Sequence, residues 1–399
     1  MKTAIDGKKV VLGVTGSIAC YKAVDLCSKL AQGGAMLDVI LTRGAAKFIS
    51  PLTFRSIIHR PVVTDIFDAE SELSIEHVAL AERADVVVVA PATAHTIAKL
   101  ASGLSDDALT TTILATAAPV VVAPAMDANM YDNPATQQNI ETLKRRGIIV
   151  AGPAQGHMAS GLWGWGRMVE PLDLLGYIAA ALGRHGDLAN RRIVVSAGGT
   201  QEAIDPVRVI TNRSSGKMGY AIAEAARDRG AHAILVTAPT ALSDPPLVEV
   251  QHVESALEMR DAVAACCKSA DALIMAAAVA DYRSTNPAGQ KMKKGQGDTV
   301  TIELTKNQDI LAETMGAKIK VGFAAETEDL LANAHQKLVS KNVDLFVAND
   351  VTALGAGFGV DTNKVTILDM DGGIEDLPIM TKYEVAHRIL DRVVRLLQS

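Results

Sequence analysis

Cysteine is scarce in this chain of 399 residues: Cys20, Cys27, Cys266 and Cys267 offer neither a disulfide framework nor a paired Cys-x-x-Cys metal site. They read as reduced thiols, so a cytoplasmic protein is expected. An excess of basic charge is also missing. The formal net charge of −6 gives no electrostatic reason to expect nucleic acid as a partner. No run of about 18 apolar residues appears, and the polar segment 1–9 leads straight into a strand, so neither export nor membrane spanning is expected. Short-period repeats and low-complexity tracts are absent as well.

What is present is an ordinary globular composition, 49% hydrophobic and 21% charged. A single core rarely grows beyond about 250–300 residues, so this length predicts two domains. Short β-branched runs alternate with helix-like segments throughout, the pattern of a parallel sheet covered on both faces. The predicted fold class is α/β, with two doubly wound, Rossmann-like domains and mostly parallel sheets. Strands are expected at 10–14, 36–41, 85–90, 120–123 and 148–150 in the first half. In the second they are expected at 192–195, 233–236, 273–277, 320–323, 344–348 and 366–369, before a terminal helix. The helical stretch 170–192, broken by Gly183, Gly186 and Asn190, is the best linker and predicts domains 1–188 and 189–399. Ligands should gather at the carboxyl ends of the strands.

Two glycine turns stand out at such ends. Residues 196–219 follow a strand and open a helix. Gly198 and Gly199 permit a sharp turn, and Asn212, Ser214, Ser215, Gly216 and Lys217 place donors and positive charge where a phosphate would meet the helix end. A plain βα turn with a Ser N-cap explains one or two of these residues, not the run. In the first half, Gly13, Thr15, Gly16, Ser17 and Ile18 form a shorter turn that suits a mononucleotide phosphate. It fails the G-x-G-x-x-G pattern, and Leu41-Thr42-Arg43 stands where an acidic residue would end the second strand, which argues against two NAD-binding domains.

The 196–219 segment resembles the phosphopantothenate–cysteine ligase signature. The first half resembles flavin-dependent phosphopantothenoylcysteine decarboxylases, on the turn at Gly16 and the loops Ala90 to Thr96 and Gly103 to Leu109. Across nearly all of its length the chain is therefore similar to the bifunctional bacterial coenzyme A biosynthesis family. The resemblance implies FMN, with Gly16, Ser17, Ile18 and Thr42 on its phosphate and ribityl chain. It further implies Thr93, Ala94, His95, Thr96 and Ala125 along the isoalloxazine, His95 standing where the family usually has Asn. It gives His77 the catalytic role of handling the substrate carboxyl proton, which a near-neutral pKa suits.

Two family positions are changed. The clamp motif Pro124 to Met130, assigned with Met130 to substrate binding, carries Asp127 in place of Asn, and an ionised carboxylate accepts hydrogen bonds but donates none. The segment Met158 to Met168, with both tryptophans, resembles the family's lid loop, whose cysteine proton donor is here Ser160. A hydroxyl is far less acidic than a thiol. By resemblance, flavin oxidises the cysteinyl substrate, carbon dioxide leaves, and the resulting enethiol is reduced, with Ser160 or an assisting group giving the last proton.

In the second half, Ala276, Ala277 and Asp281 end a predicted strand and Lys291, Lys293 and Lys294 follow in a Gly- and Lys-rich loop. Clustered lysines can neutralise a triphosphate. The resemblance gives Lys291 that catalytic role and has Asn212 hold the acyl phosphate intermediate. It places Arg208, Ala276, Ala277, Asp281, Asn307, Gln308, Asp309, Ile310, Phe323, Lys337 and Lys341 around substrate and CTP. Lys337 and Lys341, four apart on a helix, can face one ligand. The implied ligase activates 4'-phosphopantothenate as an acyl-cytidylate, releases pyrophosphate, and lets the L-cysteine amine displace CMP. Mg2+ is expected with CTP, its protein ligands being unreadable from sequence. The product, 4'-phosphopantothenoylcysteine, is the decarboxylase substrate. The competing reading is an active ligase whose flavin domain is a non-catalytic binding or assembly module, motivated by Asp127 and Ser160. Trimeric flavin domains and dimeric ligase domains in the family imply a dodecamer.

Overall fold

Runs of Val and Ile without polar interruption, buried on both faces, can only be central parallel strands, and they form the cores of two units in the computed structural model. The structure describes residues 4–65, 76–293, 300–326, 330–350, 355–356 and 359–398. Ser74 and Ile75 before His77, and Lys294 with 295–297 of the lysine loop, lie outside the described residues. The chain divides into Met1–Gly183 and Arg184–Ser399.

The first unit runs β1 (Lys9–Val14), α1 (Cys20–Gln32), β2 (Met36–Leu41), α2 (Pro51–Ile58), β3 (Val62–Val63), α3 (Glu76–Arg83), β4 (Val86–Ala92), α4 (Ala94–Ser102), α5 (Ala108–Ala115), β5 (Val120–Pro124), α6 (Ala128–Asp132), α7 (Pro134–Arg145) and β6 (Ile149–Val150). Its six strands pair in the order β3-β2-β1-β4-β5-β6, every ladder parallel. All seven residues of β4 are buried, as a strand sandwiched between helices must be. The order reverses between β1 and β4, which opens a crevice at their carboxyl ends.

Here the sequence reading needs one correction. The segment expected as a lid loop is a β-hairpin, β7 (Ala154–His157) and β8 (Trp163–Arg167), ahead of α8 (Pro171–Gly183). The alternation Trp-Gly-Trp-Gly explains it: side chains on a strand alternate in direction. The tryptophans face outward at 61% and 49% exposure, and the glycines face Ala128 and Met126. A Cβ on Gly164 would lie 2.8 Å from Ala128 Cβ, and one on Gly166 2.4 Å from Met126 O.

The second unit runs β9 (Arg192–Ala197), β10 (Gln201–Ala203), β11 (Val209–Thr211), α9 (Lys217–Arg227), β12 (His232–Thr237), β13 (Glu249–His252), α10 (Ala256–Cys267), β14 (Ala272–Met275), β15 (Tyr282–Ser284), β16 (Leu304–Lys306), α11 (Ile310–Glu313), β17 (Ile319–Glu326), α12 (Leu330–Ser340), β18 (Leu345–Asp350), β19 (Thr362–Asn363), β20 (Val365–Asp369), β21 (Ile374–Asp376), β22 (Met380–Thr381) and α13 (Lys382–Gln398). Eight strands form one sheet in the order β13-β12-β9-β14-β17-β18-β20-β21, parallel from β13 to β18 and antiparallel over the last two ladders. The pairs β10–β11 and β15–β16 are separate antiparallel ribbons that the strand–helix alternation did not reveal.

Packing of α13 against α9 buries a polar group whose titration is measurable. Burial, with the nearby Arg229 cation, pushes His387 below the ordinary imidazole range, and its ring stacks edge-on against Tyr383 at 4.6 Å. The unfolded chain thus binds this proton more readily than the folded one. The stability from neutral His387 is complete above the ordinary value of 6.5 and falls as pH drops through it toward the lower folded value. Thermal melts of the second unit's transition should therefore decline as pH falls below about 6.5. His387→Gln should flatten that decline, and an equally steep slope in the variant would refute the assignment.

Candidate functional site

Each sheet carries a cavity at the carboxyl ends of its strands, beside a helix that starts without a side-chain cap. Among the described residues eight helices are capped, by Ser50, Thr93, Asp107, Asp127, Asn133, Ser255, Asp309 or Thr381. By contrast α1 begins after Ala19 and α9 after Gly216 with no side chain accepting from their first N–H groups. Those two are the helices that follow the glycine turns. The Ser N-cap alternative for 196–219 is thereby corrected: Ser214 Oγ accepts from Gly216 N, before the helix starts. N–H groups at a helix start that meet no acceptor form an anion site; at α1 two of them are taken, Cys20 N by Ser17 O at 3.0 Å and Lys22 N by Ala19 O at 2.9 Å.

The first cavity, about 570 Å³, lies between the turns after β1, β2, β4 and β5. Gly16, Ser17 and Thr42 line one end; Thr93, Ala94, His95 and Thr96 line the middle; Ala125 and Met130 close it. Their positions come from a short hydrogen-bond chain. Thr15 Oγ1 donates to Pro91 O at 2.8 Å and accepts from Thr93 N at 3.1 Å, locking the β1 turn to the β4 turn. Thr93 then caps α4 through Thr96 N. Lys99, also in the lining, is held by Asp106 at 2.7 Å and Asp107 at 3.3 Å. Gly16 sits so close to Gly44 that a Cβ would meet its carbonyl carbon at 2.8 Å. The two turns thus meet backbone to backbone at that end of the cavity, which only glycine permits. Arg43 and Gly44 complete that end and were not among the expected residues.

Four residues expected here lie off the lining. Ile18 is 63% exposed, because the turn directs it outward from α1. His77 lies in the first turn of α3, with its Nδ1 buried and without a hydrogen-bond partner. Asp127 and Ser160 meet each other instead: Ser160 Oγ donates to Asp127 Oδ2 at 2.5 Å, while Asp127 Oδ1 accepts from Asn129 N at 3.1 Å. Both carboxylate oxygens are thus engaged, one capping α6 and one fastening the hairpin. Met126 N donates to Gly166 O at 2.9 Å as a second tie.

The second cavity, about 690 Å³, opens between the start of α9 and the ends of β14, β17 and β18. Asn212 borders it, its Nδ2 donating to Val279 O at 3.0 Å. Ala276, Ala277 and Asp281 line the next wall, with Ala277 N bound to Ser196 Oγ at 3.1 Å. Asn307, Gln308, Asp309 and Ile310 form the floor and Phe323 the back. Asn307 is committed internally, donating to Ala280 O and accepting from Arg283 Nη1, both at 2.8 Å. Asp309 caps α11 and pairs with Lys341 at 3.2 Å. Lys337 and Lys341 both reach the cavity, as their spacing required.

Arg208 and Lys291 are not in this lining. Arg208 is turned to Asp205, 3.0 Å away, and the loop carrying Lys291 is fastened to the same carboxylate through Met292 N. Sequence reading missed Asn349, Asn363 and Lys382 on the opposite wall. Asn349 does carry a signal, a polar residue at the end of a buried strand. Lys382 carries none: it is drawn in by Val360 O and Thr362 O, and burial together with Lys217 holds it below the ordinary lysine range.

These features define a two-part α/β protein, each half carrying a cavity beside a helix that starts without a side-chain cap. The first part, residues 1–183, matches the Flavoprotein family model, and residues 188–397 match the DNA/pantothenate metabolism flavoprotein C-terminal domain. The coenzyme A biosynthesis bifunctional protein CoaBC of Bacillus subtilis is 46% identical over 98% of both chains. That of Escherichia coli K12 is 43% identical, again over 98% of each. A solved C-terminal domain of a CoaBC protein is 41% identical over 53% of this chain and 98% of its own, with a TM-score of 0.46.

The chain belongs to the coenzyme A biosynthesis bifunctional protein family, joining a flavoprotein decarboxylase half to a ligase half. A non-catalytic flavin module is not favoured. Among the described residues no helix is long and apolar enough to cross a membrane.

Proposed function

We propose that residues 189–399 ligate L-cysteine to 4'-phosphopantothenate with CTP, and that residues 1–188 decarboxylate the resulting 4'-phosphopantothenoylcysteine to 4'-phosphopantetheine with FMN, in the cytoplasm. The observation that carries this reading is the pair of cavities at the ends of two parallel sheets, each beside an uncapped helix start. In the ligase half the start of α9 and Lys217 receive phosphate oxygens, with Lys337 and Lys341 opposite. Asn212 holds the acyl-cytidylate while the cysteine amine displaces CMP. Mg2+ enters on the triphosphate, whose oxygens supply most of its protein-independent ligands.

In the decarboxylase half, the Gly16–Gly44 cradle and Ser17 take the FMN phosphate, and Thr93 to Thr96 flank the ring. FMN, when bound, supplies oxidation of the cysteinyl carbon that permits loss of carbon dioxide, and the later return of both electrons. His77, with its unpartnered Nδ1, accepts the substrate proton. Ser160 gives the final proton, which it must first release from the hydrogen bond it donates to Asp127. A dodecamer of trimeric flavin and dimeric ligase contacts completes the reading.

An anaerobic single-turnover reaction with 4'-phosphopantothenoylcysteine, following carbon dioxide, the flavin spectrum and 4'-phosphopantetheine, tests it. Ser160→Ala should keep carbon dioxide release and slow 4'-phosphopantetheine formation about 100-fold, the lower end of what one proton donor contributes. Bound FMN with no carbon dioxide from the parent protein would sink the decarboxylase assignment.

A further inference from the structure

Asp205 is a carboxylate with no side-chain exposure at all, in the turn between β10 and β11, and the ligase reading gives it no task. Every donor around it is accounted for. Oδ1 accepts from Val207 N and Arg208 N, both at 2.8 Å; Oδ2 accepts from Arg208 Nη1 at 3.0 Å and Met292 N at 3.1 Å. Burial alone would raise its pKa, but the N–H groups of Val207, Met292 and Arg208, with the guanidinium charge, hold it below the ordinary carboxylate range. It therefore stays ionised at neutral pH.

Three of those four donors are local to the turn. Met292 is not: it lies 87 residues further on, in the loop after β15. That loop is also held at its near end, where Ala288 N donates to Ile204 O at 2.9 Å, and Arg208 Nη1 reaches Met292 O at 3.4 Å. Lys291 falls between the two fastenings. A lysine on a loop of glycines and lysines would otherwise sample a wide volume, and holding a cationic group in place is a large part of what preorganised electrostatic catalysis requires.

We infer that Asp205 is a positioning residue of the ligase half: its buried carboxylate clips the Lys291 loop to the β10–β11 turn, and with Arg208 fixes where the Lys291 ammonium is presented. The inference rests on the reading that Lys291 stabilises the charge developing during acyl-cytidylate formation. Asp205 touches no substrate and acts only through the loop. Asparagine is nearly isosteric but has a single acceptor oxygen, so it cannot satisfy all four donors.

The test uses the full chain and reads pyrophosphate released from CTP with 4'-phosphopantothenate. Asp205→Asn should lower kcat about 10- to 100-fold with KM for CTP within about threefold, because Lys291 acts in the transition state. Its Met292 amide should exchange with deuterium faster. The double variant with Lys291→Gln should be no slower than Lys291→Gln alone, since a residue acting through another shows no independent effect. Met292→Pro, which deletes the donor from the lysine loop and leaves the other three in place, should reproduce the kcat loss if Asp205→Asn does not fold. Losses that multiply in the double variant, or a normal kcat with a freely exchanging Met292 amide, would overturn the inference. If Lys291→Gln alone is as active as the parent, the role given to Lys291 is what fails, a result separate from the others.

Discussion

Gly16→Val should yield a colourless protein that has lost its flavin and its decarboxylase activity while the ligase reaction persists. The added Cβ would lie 2.8 Å from the carbonyl carbon and 2.9 Å from the Cα of Gly44. Both contacts are backbone, so no side chain can swing aside, and the two turns must part. Thr42 sits at that point as well, its Oγ1 bound to Val14 O at 3.3 Å and to Ala45 N at 3.3 Å. Charge-assisted hydrogen bonds are worth about 1.5–3 kcal/mol each. Losing two of them from the FMN phosphate weakens binding by at least about 100-fold. Flavin absorbance of the purified chain measures the first half and pyrophosphate release the second. The two cavities belong to separate compact units, so the ligase rate should stay within about twofold of the parent's. A yellow, active Gly16→Val protein would show that the cradle is not the phosphate site.

Asn212→Asp should remove most ligase activity and leave decarboxylation of supplied 4'-phosphopantothenoylcysteine intact. Asn212 Nδ2 donates to Val279 O at 3.0 Å, which fixes the amide at the edge of the second cavity. An aspartate there sets one acceptor against another and adds negative charge where the substrates bring carboxylate and phosphate. Losing a single preorganised donor costs about 10²–10³ in rate. Repulsion adds to that, so kcat/KM for CTP-dependent ligation should fall about 10³-fold or more. Asn212→Ala, which removes the donor without the charge, should fall less. Equal losses in the two variants would mean that the charge is screened and that Asn212 contacts no anion. Full activity in Asn212→Asp would take the residue out of the site.

The decarboxylase half poses a narrower chemical question. Its hairpin is fastened by Ser160 to a carboxylate that is already a helix cap. Neither group is the amide or the thiol expected from the family resemblance. The sequence alone suggested a clash between Asp127 and the substrate carboxylate. The structure instead shows Asp127 with both oxygens engaged by hydrogen-bond donors, which disperses its charge.

Sequence alone determined what depends on neighbours along the chain. The apolar runs at the centres of β1, β4, β5, β9 and β14 could be read because a strand buried on both faces is apolar over its central positions. Both glycine turns were legible because a close backbone approach or a left-handed residue demands glycine locally. Which residues face each other was decided only by the tertiary structure. Lys382, Asn363 and Asn349 join the α9 cavity because the order of an eight-stranded sheet and the return of α13 bring them there. Lys217 finds Asp361, 144 residues away, at 2.7 Å. The clip of Asp205 on Met292 and the latch of Ser160 on Asp127 are of the same kind. They depend on register and packing across tens of residues, and no local pattern of side chains encodes that.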